Sequence, residues 1–252
     1  MIRRRFVGLL AAVAFGWSQP ALADLVAAIE RVKPSVVMVG IFNKLGAPQF
    51  TLRGTGFAVG DGQIIATNAH VVADLNLAAG TTLVVRAATP IDRARPATVL
   101  AMDKAHDLAL LRVEGGALPP LTLRDSDTVK EGAAIAFTGF PIGSALGFSP
   151  VSHRGIVAAV TPIAIPSGNA QQLKGSLLRQ LKDGGFNIFQ LDATAYPGNS
   201  GGPMYDAETG EVIGIINMVF VKGSKESALS QPSGISYAIP ANYLRALLAT
   251  RP

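Results

Sequence analysis

The stretch Gly198-Asn199-Ser200-Gly201-Gly202-Pro203 decides how this chain is read. Its first five residues have the Gly-x-Ser-x-Gly spacing of a nucleophile elbow, where a strand turns sharply into a helix at a serine. Here Pro203 and strand-forming residues follow, so an esterase elbow on an α/β sheet is discouraged. Two readings stay open. One is a plain surface turn, since Gly, Asn, Ser and Pro are all turn residues. The other is a serine held for nucleophilic attack. A hydroxyl needs a base to take its proton, and an acyl transition state needs donors aimed at the developing oxyanion. Gly198 permits a backbone conformation that only glycine tolerates well. The amides of Gly198 and Ser200 can then point into one small space, while Gly201 and Gly202 would let a substrate chain approach closely.

The rest of the chain reads as short apolar runs separated by turn residues. Ser35–Ile41 is a first strand. Further runs lie at 56–59, 63–67, 82–85, 97–102, 108–113, 133–138, 155–160, 188–191, 212–218 and 234–239. Short strands at this density predict an all-β sandwich or barrel. The lack of long helices between them argues against a parallel α/β sheet. Asp24–Val32 has Leu25, Ala28, Ile29 and Val32 at helical spacing, and Ala241–Ala249 reads as a closing helix behind Pro240. Pro166–Gly185 is polar, with Leu173, Leu177, Leu178 and Leu181 at helical spacing, and predicts a short helix on a long loop. Phe220–Ser233 reads as a polar loop.

A serine nucleophile needs an imidazole, and the chain has His70, His106 and His153. His70 follows the apolar run Ile64-Ile65-Ala66 through the small-residue turn Thr67-Asn68-Ala69, which places an imidazole at a strand end. A satisfied buried histidine is the plain alternative. A carboxylate must then fix the imidazole tautomer. Asp107 stands at the lip of Leu108–Val113, with Asp103 as its competitor in a more turn-like stretch. A strand cap is the plain reading of Asp107.

Taken together, Thr55-Gly56-Phe57-Ala58-Val59, Thr67-Asn68-Ala69-His70-Val71-Val72, Asp107-Leu108-Ala109-Leu110-Leu111 and the segment around Ser200 resemble the HtrA/Deg family of trypsin-like serine proteases. The chain order His, Asp, Ser is that of chymotrypsin. The resemblance runs from about Val32 to Leu248. It implies an all-β, chymotrypsin-like double β-barrel with short terminal helices, the halves falling near residues 34–125 and 130–240 within a protease domain of residues 24–252. His70, Asp107 and Ser200 would be the catalytic groups, and the Gly198 and Ser200 amides the oxyanion hole. By the family pattern, Ala195, Met218 and Val219 would line the primary substrate pocket, with ordinary core positions as the plain alternative. Thr194 stands where a trypsin-like enzyme carries an acid, which argues against an Arg or Lys preference. Protein or peptide substrates are implied, with no cofactor and no metal. Family members often form trimers, so a homo-oligomer is a candidate assembly. They usually carry a PDZ domain as well, and none fits here. Tyr196 replaces an Asn frequent in the family.

Composition sets the remaining bounds. The 252 residues are 49% hydrophobic and 15% charged, too apolar for a disordered chain, and the 27 glycines and 16 prolines suit a turn-rich fold. Residues 1–23 read as a secretory signal, with Arg3, Arg4 and Arg5, an apolar run from Phe6 to Phe15, and Ala21-Leu22-Ala23 as the cleavage site. That run falls short of the roughly 20 residues needed to span a bilayer, so stable membrane insertion after cleavage is not expected. The expected location is periplasmic or secreted. Without the three leader arginines the formal charge of +5 falls near +2, too little to argue for nucleic acid. The absence of cysteine excludes disulfides, a thiol nucleophile and thiolate metal sites. Two functional classes follow: a serine endopeptidase acting on exported or misfolded proteins, or a catalytically silent binding or chaperone-like module.

Overall fold

Successive side chains of a strand point to opposite faces, so a run such as Ile64-Ile65-Ala66 needs apolar surroundings on both sides. In the computed structural model it has them. The structure describes residues 25–73, 80–88, 94–142, 147–162, 185–217 and 235–250. The first six strands are β1 (Val36–Asn43), β2 (Phe50–Val59), β3 (Ile64–Asn68), β4 (Thr81–Ala87), β5 (Arg95–Asp103) and β6 (Leu108–Val113). They close into an antiparallel barrel in the order β1-β2-β3-β6-β5-β4. The next six are β7 (Ala134–Gly139), β8 (Val151–Pro162), β9 (Asn187–Asp192), β10 (Pro203–Asp206), β11 (Val212–Asn217) and β12 (Ile235–Pro240). These close a second barrel in the order β10-β11-β12-β9-β8-β7. Closure removes the exposed sheet edges that would otherwise invite aggregation.

The continuous apolar runs are explained by two-sided burial. Ile65, Ala109 and Leu111 pack inside the first barrel with Val37, Val39 and Val85. Their strand neighbours Ile64, Ala66, Leu108 and Leu110 face the other way, onto Val212, Ile215 and Ile239 of the second barrel. All four of these neighbours are fully buried. The second barrel has its own interior, built on Ile135, Phe137, Phe189, Leu191, Met204 and Ile216. Of the three short helices among the described residues, α1 (Leu25–Val32) buries Ala28 and Val32, α2 (Ala69–Val72) follows β3, and α3 (Ala241–Ala249) buries Ala241, Leu244 and Leu247. Ala28 and Val32 rest on Val36, Met38, Ala136, Phe140 and Tyr205, residues drawn from both barrels. The Arg31 guanidinium donates to the Thr209 carbonyl of the second barrel.

This is the chymotrypsin-like double barrel that the sequence led us to expect, with refinements. Lys33–Ser35 forms a 3-10 turn, so the first strand starts at Val36. Strand β10 begins at Pro203, directly after the serine turn. The run from Val212 ends as a described strand at Asn217. The helix expected near 166–185 and the loop expected at 220–233 lie outside the described residues, apart from Gly185. Among the described residues no helix is long and apolar enough to cross a membrane.

Strand β8 carries His153 opposite Phe137, and the two rings stack with centroids 4.9 Å apart and planes 21° apart. Its Nε2 is buried without a hydrogen-bond partner among the described residues. Burial disfavours the charged imidazolium and lowers the His153 pKa below its ordinary value of 6.5. The unfolded chain then binds the extra proton first, so the neutral ring's contribution is complete above that ordinary value and is lost as pH falls below it. Wild type should lose more stability than His153→Phe between pH 8 and pH 5, read from denaturation midpoints. Equal losses would show that burial does not hold this ring neutral.

Candidate active site

Strand pairing brings His70 and Asp107 together. Asn68 at the end of β3 lies opposite Leu108 at the start of β6. The residue just before Leu108 therefore sits beside the first turn after Asn68. The Asp107 carbonyl accepts from the Ala69 amide and from Asn68 Nδ2, both at 3.0 Å. Asp107 itself adopts φ +53°, a left-handed conformation that Asp tolerates better than most residues. That conformation turns its carboxylate toward α2, where Oδ1 accepts from the His70 amide at 2.8 Å and Oδ2 meets His70 Nδ1 at 2.6 Å. A carboxylate only accepts, so the proton belongs on Nδ1, which leaves Nε2 of the neutral ring as a free acceptor. The His70 side chain is 45% exposed against 25% for Asp107. The imidazole thus faces solvent and the carboxylate is more sheltered.

Ser200 comes from the second barrel and is buried. Its turn is pinned to the first barrel by Thr55 of β2. The Thr55 amide donates to the Ser200 carbonyl at 2.8 Å, and Thr55 Oγ1 donates to the Gly198 carbonyl at 2.6 Å. The Phe140 amide donates to the same hydroxyl at 3.1 Å. Gly198 has φ +102°, and a Cβ there would stand 2.1 Å from the Phe140 carbonyl oxygen, so only glycine fits. The amides of Asn199, Gly201 and Gly202 are spent on Tyr196, Ile216 and Asn199 carbonyls. Among the described residues the amides of Gly198 and Ser200 have no acceptor. A Cβ on Gly54 would lie 2.7 Å from Val71 Cγ2 and 2.9 Å from the Ser200 carbonyl oxygen, so the chain beside His70 and the backbone of Ser200 converge on one glycine. No hydrogen bond joins Ser200 Oγ to His70 among the described residues, an arrangement compatible with apo sites that tighten only around substrate.

At Gly201 and Gly202 the side that a Cβ would take is occupied by protein. A Cβ on Gly201 would lie 2.2 Å from the Thr55 carbonyl oxygen and 2.3 Å from Thr67 Oγ1 of the first barrel. One on Gly202 would lie 2.5 Å from the Thr138 carbonyl oxygen. These glycines let the serine turn pack against the strands around it.

The competing acid, Asp103, pairs with His106 at 2.6 Å and not with His70. His153 lies in the second barrel against Phe137, and its ring centroid is 5.9 Å from that of Tyr196. Ala195 is half-buried against the second-barrel core and donates its amide to Ser236 Oγ at 2.9 Å. Met218 and Val219 lie outside the described residues. Two contributors were missed. Asn217, at the end of β11, reaches across the seam and donates Nδ2–H to Asp107 Oδ2 at 3.0 Å. Thr55 was noted only as a motif residue. Nothing local marks Asn217, because its partner is 110 positions away.

The fold and this cross-barrel arrangement define a chymotrypsin-type scaffold. The chain belongs to the trypsin-like peptidase family, whose domain, described as Trypsin-like peptidase domain, matches residues 54–215. It is similar to the mitochondrial serine protease HTRA2 of Drosophila pseudoobscura pseudoobscura, with 31% identity over 203 residues, covering 81% of this chain and 40% of that protein. It is also similar to a probable periplasmic serine endoprotease, DegP-like, of Pseudomonas putida (strain GB-1), with 34% identity over 188 residues, covering 74% of this chain and 32% of that protein. The chain thus spans less than half the length of these relatives. Among solved structures, the HtrA-type protease AlgW with decapeptide superposes with a TM-score of 0.64 at 24% identity, covering 90% of this chain and 67% of that one.

The packing around Gly201 has a measurable consequence. Gly201→Ala combines a left-handed backbone, φ +85°, with overlap against Thr55 and Thr67. It should cost about 2–5 kcal/mol of unfolding free energy. A denaturation midpoint equal to wild type would mean that the seam is looser than these distances require.

Proposed function

We propose that the protein is a serine endopeptidase in which Ser200 is the nucleophile, His70 the general base and Asp107 the orienting acid. The observation that carries this reading is the Asp107 carboxylate, which grips both the backbone amide and Nδ1 of His70. That grip fixes the ring's position and its tautomer together. Nε2 takes the Ser200 proton as Oγ attacks a peptide carbonyl carbon, and Asp107 stabilises the imidazolium so formed. The free amides of Gly198 and Ser200 are the donors for the oxyanion. His70 then protonates the leaving amine, and an ester to Ser200 remains. Water, deprotonated by the same Nε2, attacks the ester and releases the acid and the hydroxyl.

The finer assignments belong to the same proposal. Residues 1–23 are the export signal and residues 24–252 the protease domain. Its halves lie near 34–125 and 130–240, and its location is periplasmic or secreted. Ala195, Met218 and Val219 line a primary pocket for small or medium aliphatic side chains. The substrates are exported or misfolded proteins, cleaved without a cofactor, and the chain is a candidate homo-oligomer. A periplasmic DegP-like relative and peptide-bound HtrA-type neighbours support this direction. The second reading is the silent binding module, which the same experiment separates.

Wild-type protein should be labelled by a fluorophosphonate probe and should cleave casein, while Ser200→Ala does neither and keeps its melting temperature. Wild type that shows neither labelling nor cleavage leaves the binding module. Asp107→Asn should lower kcat by about 10⁴-fold, the scale for a triad acid, whereas Asp103→Asn should not. Asn217→Ala removes a neutral donor to a carboxylate, a bond of about 1.5–3 kcal/mol, and should lower kcat/KM by roughly 10- to 100-fold. Unchanged kinetics would assign Asn217 a purely structural part.

A further inference from the structure

We infer that His106 is a positioning residue for Asp107, linking the turn that carries the acid to a ring cluster outside the first barrel. The inference rests on the reading of Asp107 as the triad acid. The turn 103–107 is organised by one side chain. Asp103 Oδ1 accepts from the amides of Ala105 at 2.9 Å and His106 at 3.1 Å, and Oδ2 meets His106 Nδ1 at 2.6 Å. The next residue is Asp107, whose φ of +53° must be held by its surroundings if both carboxylate oxygens are to reach His70.

The other face of the His106 ring is anchored far away in sequence. It stacks on Tyr243 of α3 with centroids 4.1 Å apart and planes 20° apart. It meets Phe186, the residue leading into β9, edge-on at 4.7 Å. Phe186 and Tyr243 touch each other at 5.3 Å, and both pack on the apolar cluster between the barrels. The imidazole joins the Asp103 carboxylate to those rings. A phenyl ring could keep the stacking but could not donate to Asp103. The hydrogen bond is therefore the step through which the C-terminal helix and the second barrel set the acid's backbone.

The test uses the full chain with His106→Phe, which keeps a flat ring between Phe186 and Tyr243, and Tyr243→Leu, which leaves the turn's own sequence intact. Both are checked for folding by thermal melting. In the active protein each should lower kcat by up to about 10²-fold, the scale of a 1 Å misplacement, with KM changed less than about twofold. In a Ser200→Ala background, the strongly deshielded proton between His70 Nδ1 and Asp107 is followed by ¹H NMR and assigned by its loss in His70→Ala. It should broaden or move in both variants. The inference is overturned if a folded variant keeps the parent's kcat and an unchanged His70 signal, and if only one variant folds, that one decides. A parent that neither turns over substrate nor takes the probe defeats the protease reading instead, and the NMR comparison still decides the role of His106.

Discussion

The amide of Thr55, donating to the carbonyl of Ser200 at 2.8 Å, holds the two barrels in register at the one place where the site cannot tolerate slippage. The imidazole and the carboxylate come from the first barrel and the hydroxyl from the second. Each barrel closes on its own, so nothing inside either one fixes the serine relative to the histidine. Thr55 supplies that constraint with two donors, its amide to Ser200 and its hydroxyl to Gly198. Its own carbonyl accepts from Thr67 Oγ1 at 2.7 Å, three residues before His70. One buried threonine thus ties the serine turn to the strand that leads to the imidazole. The apolar seam of Ile64, Ala66, Leu108 and Leu110 against Val212, Ile215 and Ile239 supplies the burial that makes this contact affordable.

Asp107 shows how much neighbouring structure one acid needs. Its carbonyl holds Asn68 and Ala69, its Oδ1 the His70 amide, and its Oδ2 both His70 and Asn217. Few acceptor sites remain for water, so the carboxylate has little freedom to rotate away from the imidazole. The left-handed backbone that allows this is set by the Asp103 turn on one side and by the β3–β6 pairing on the other. Geometry also separates the two candidate acids. Asp103 is consumed by its own turn and by His106, which leaves it no reach toward His70.

Much of this was legible in the residues. Short apolar runs separated by turns gave the strands, and the order of His70, Asp107 and Ser200 with their flanking motifs gave the architecture. For the glycines after Ser200, the sequence signals that space is scarce without saying what occupies it. Here Thr55, Thr67 and Thr138 occupy the side that a Cβ would take. Asn217 was passed over because its partner is remote, and His106 because its aromatic neighbours stand 80 and 137 positions away.

The sequence by itself determined the short apolar runs, the turn glycines and the candidate groups His70, Asp103, Asp107 and Ser200, because each of these depends on a residue and its near neighbours. The tertiary structure alone decided which faces of β3 and β6 meet the second barrel, that Asp107 and not Asp103 grips His70, and that Thr55 and Asn217 cross the seam. Those outcomes depend on how two closed barrels dock. Docking is fixed by the complementary shapes of buried surfaces assembled from distant segments, which no local pattern records.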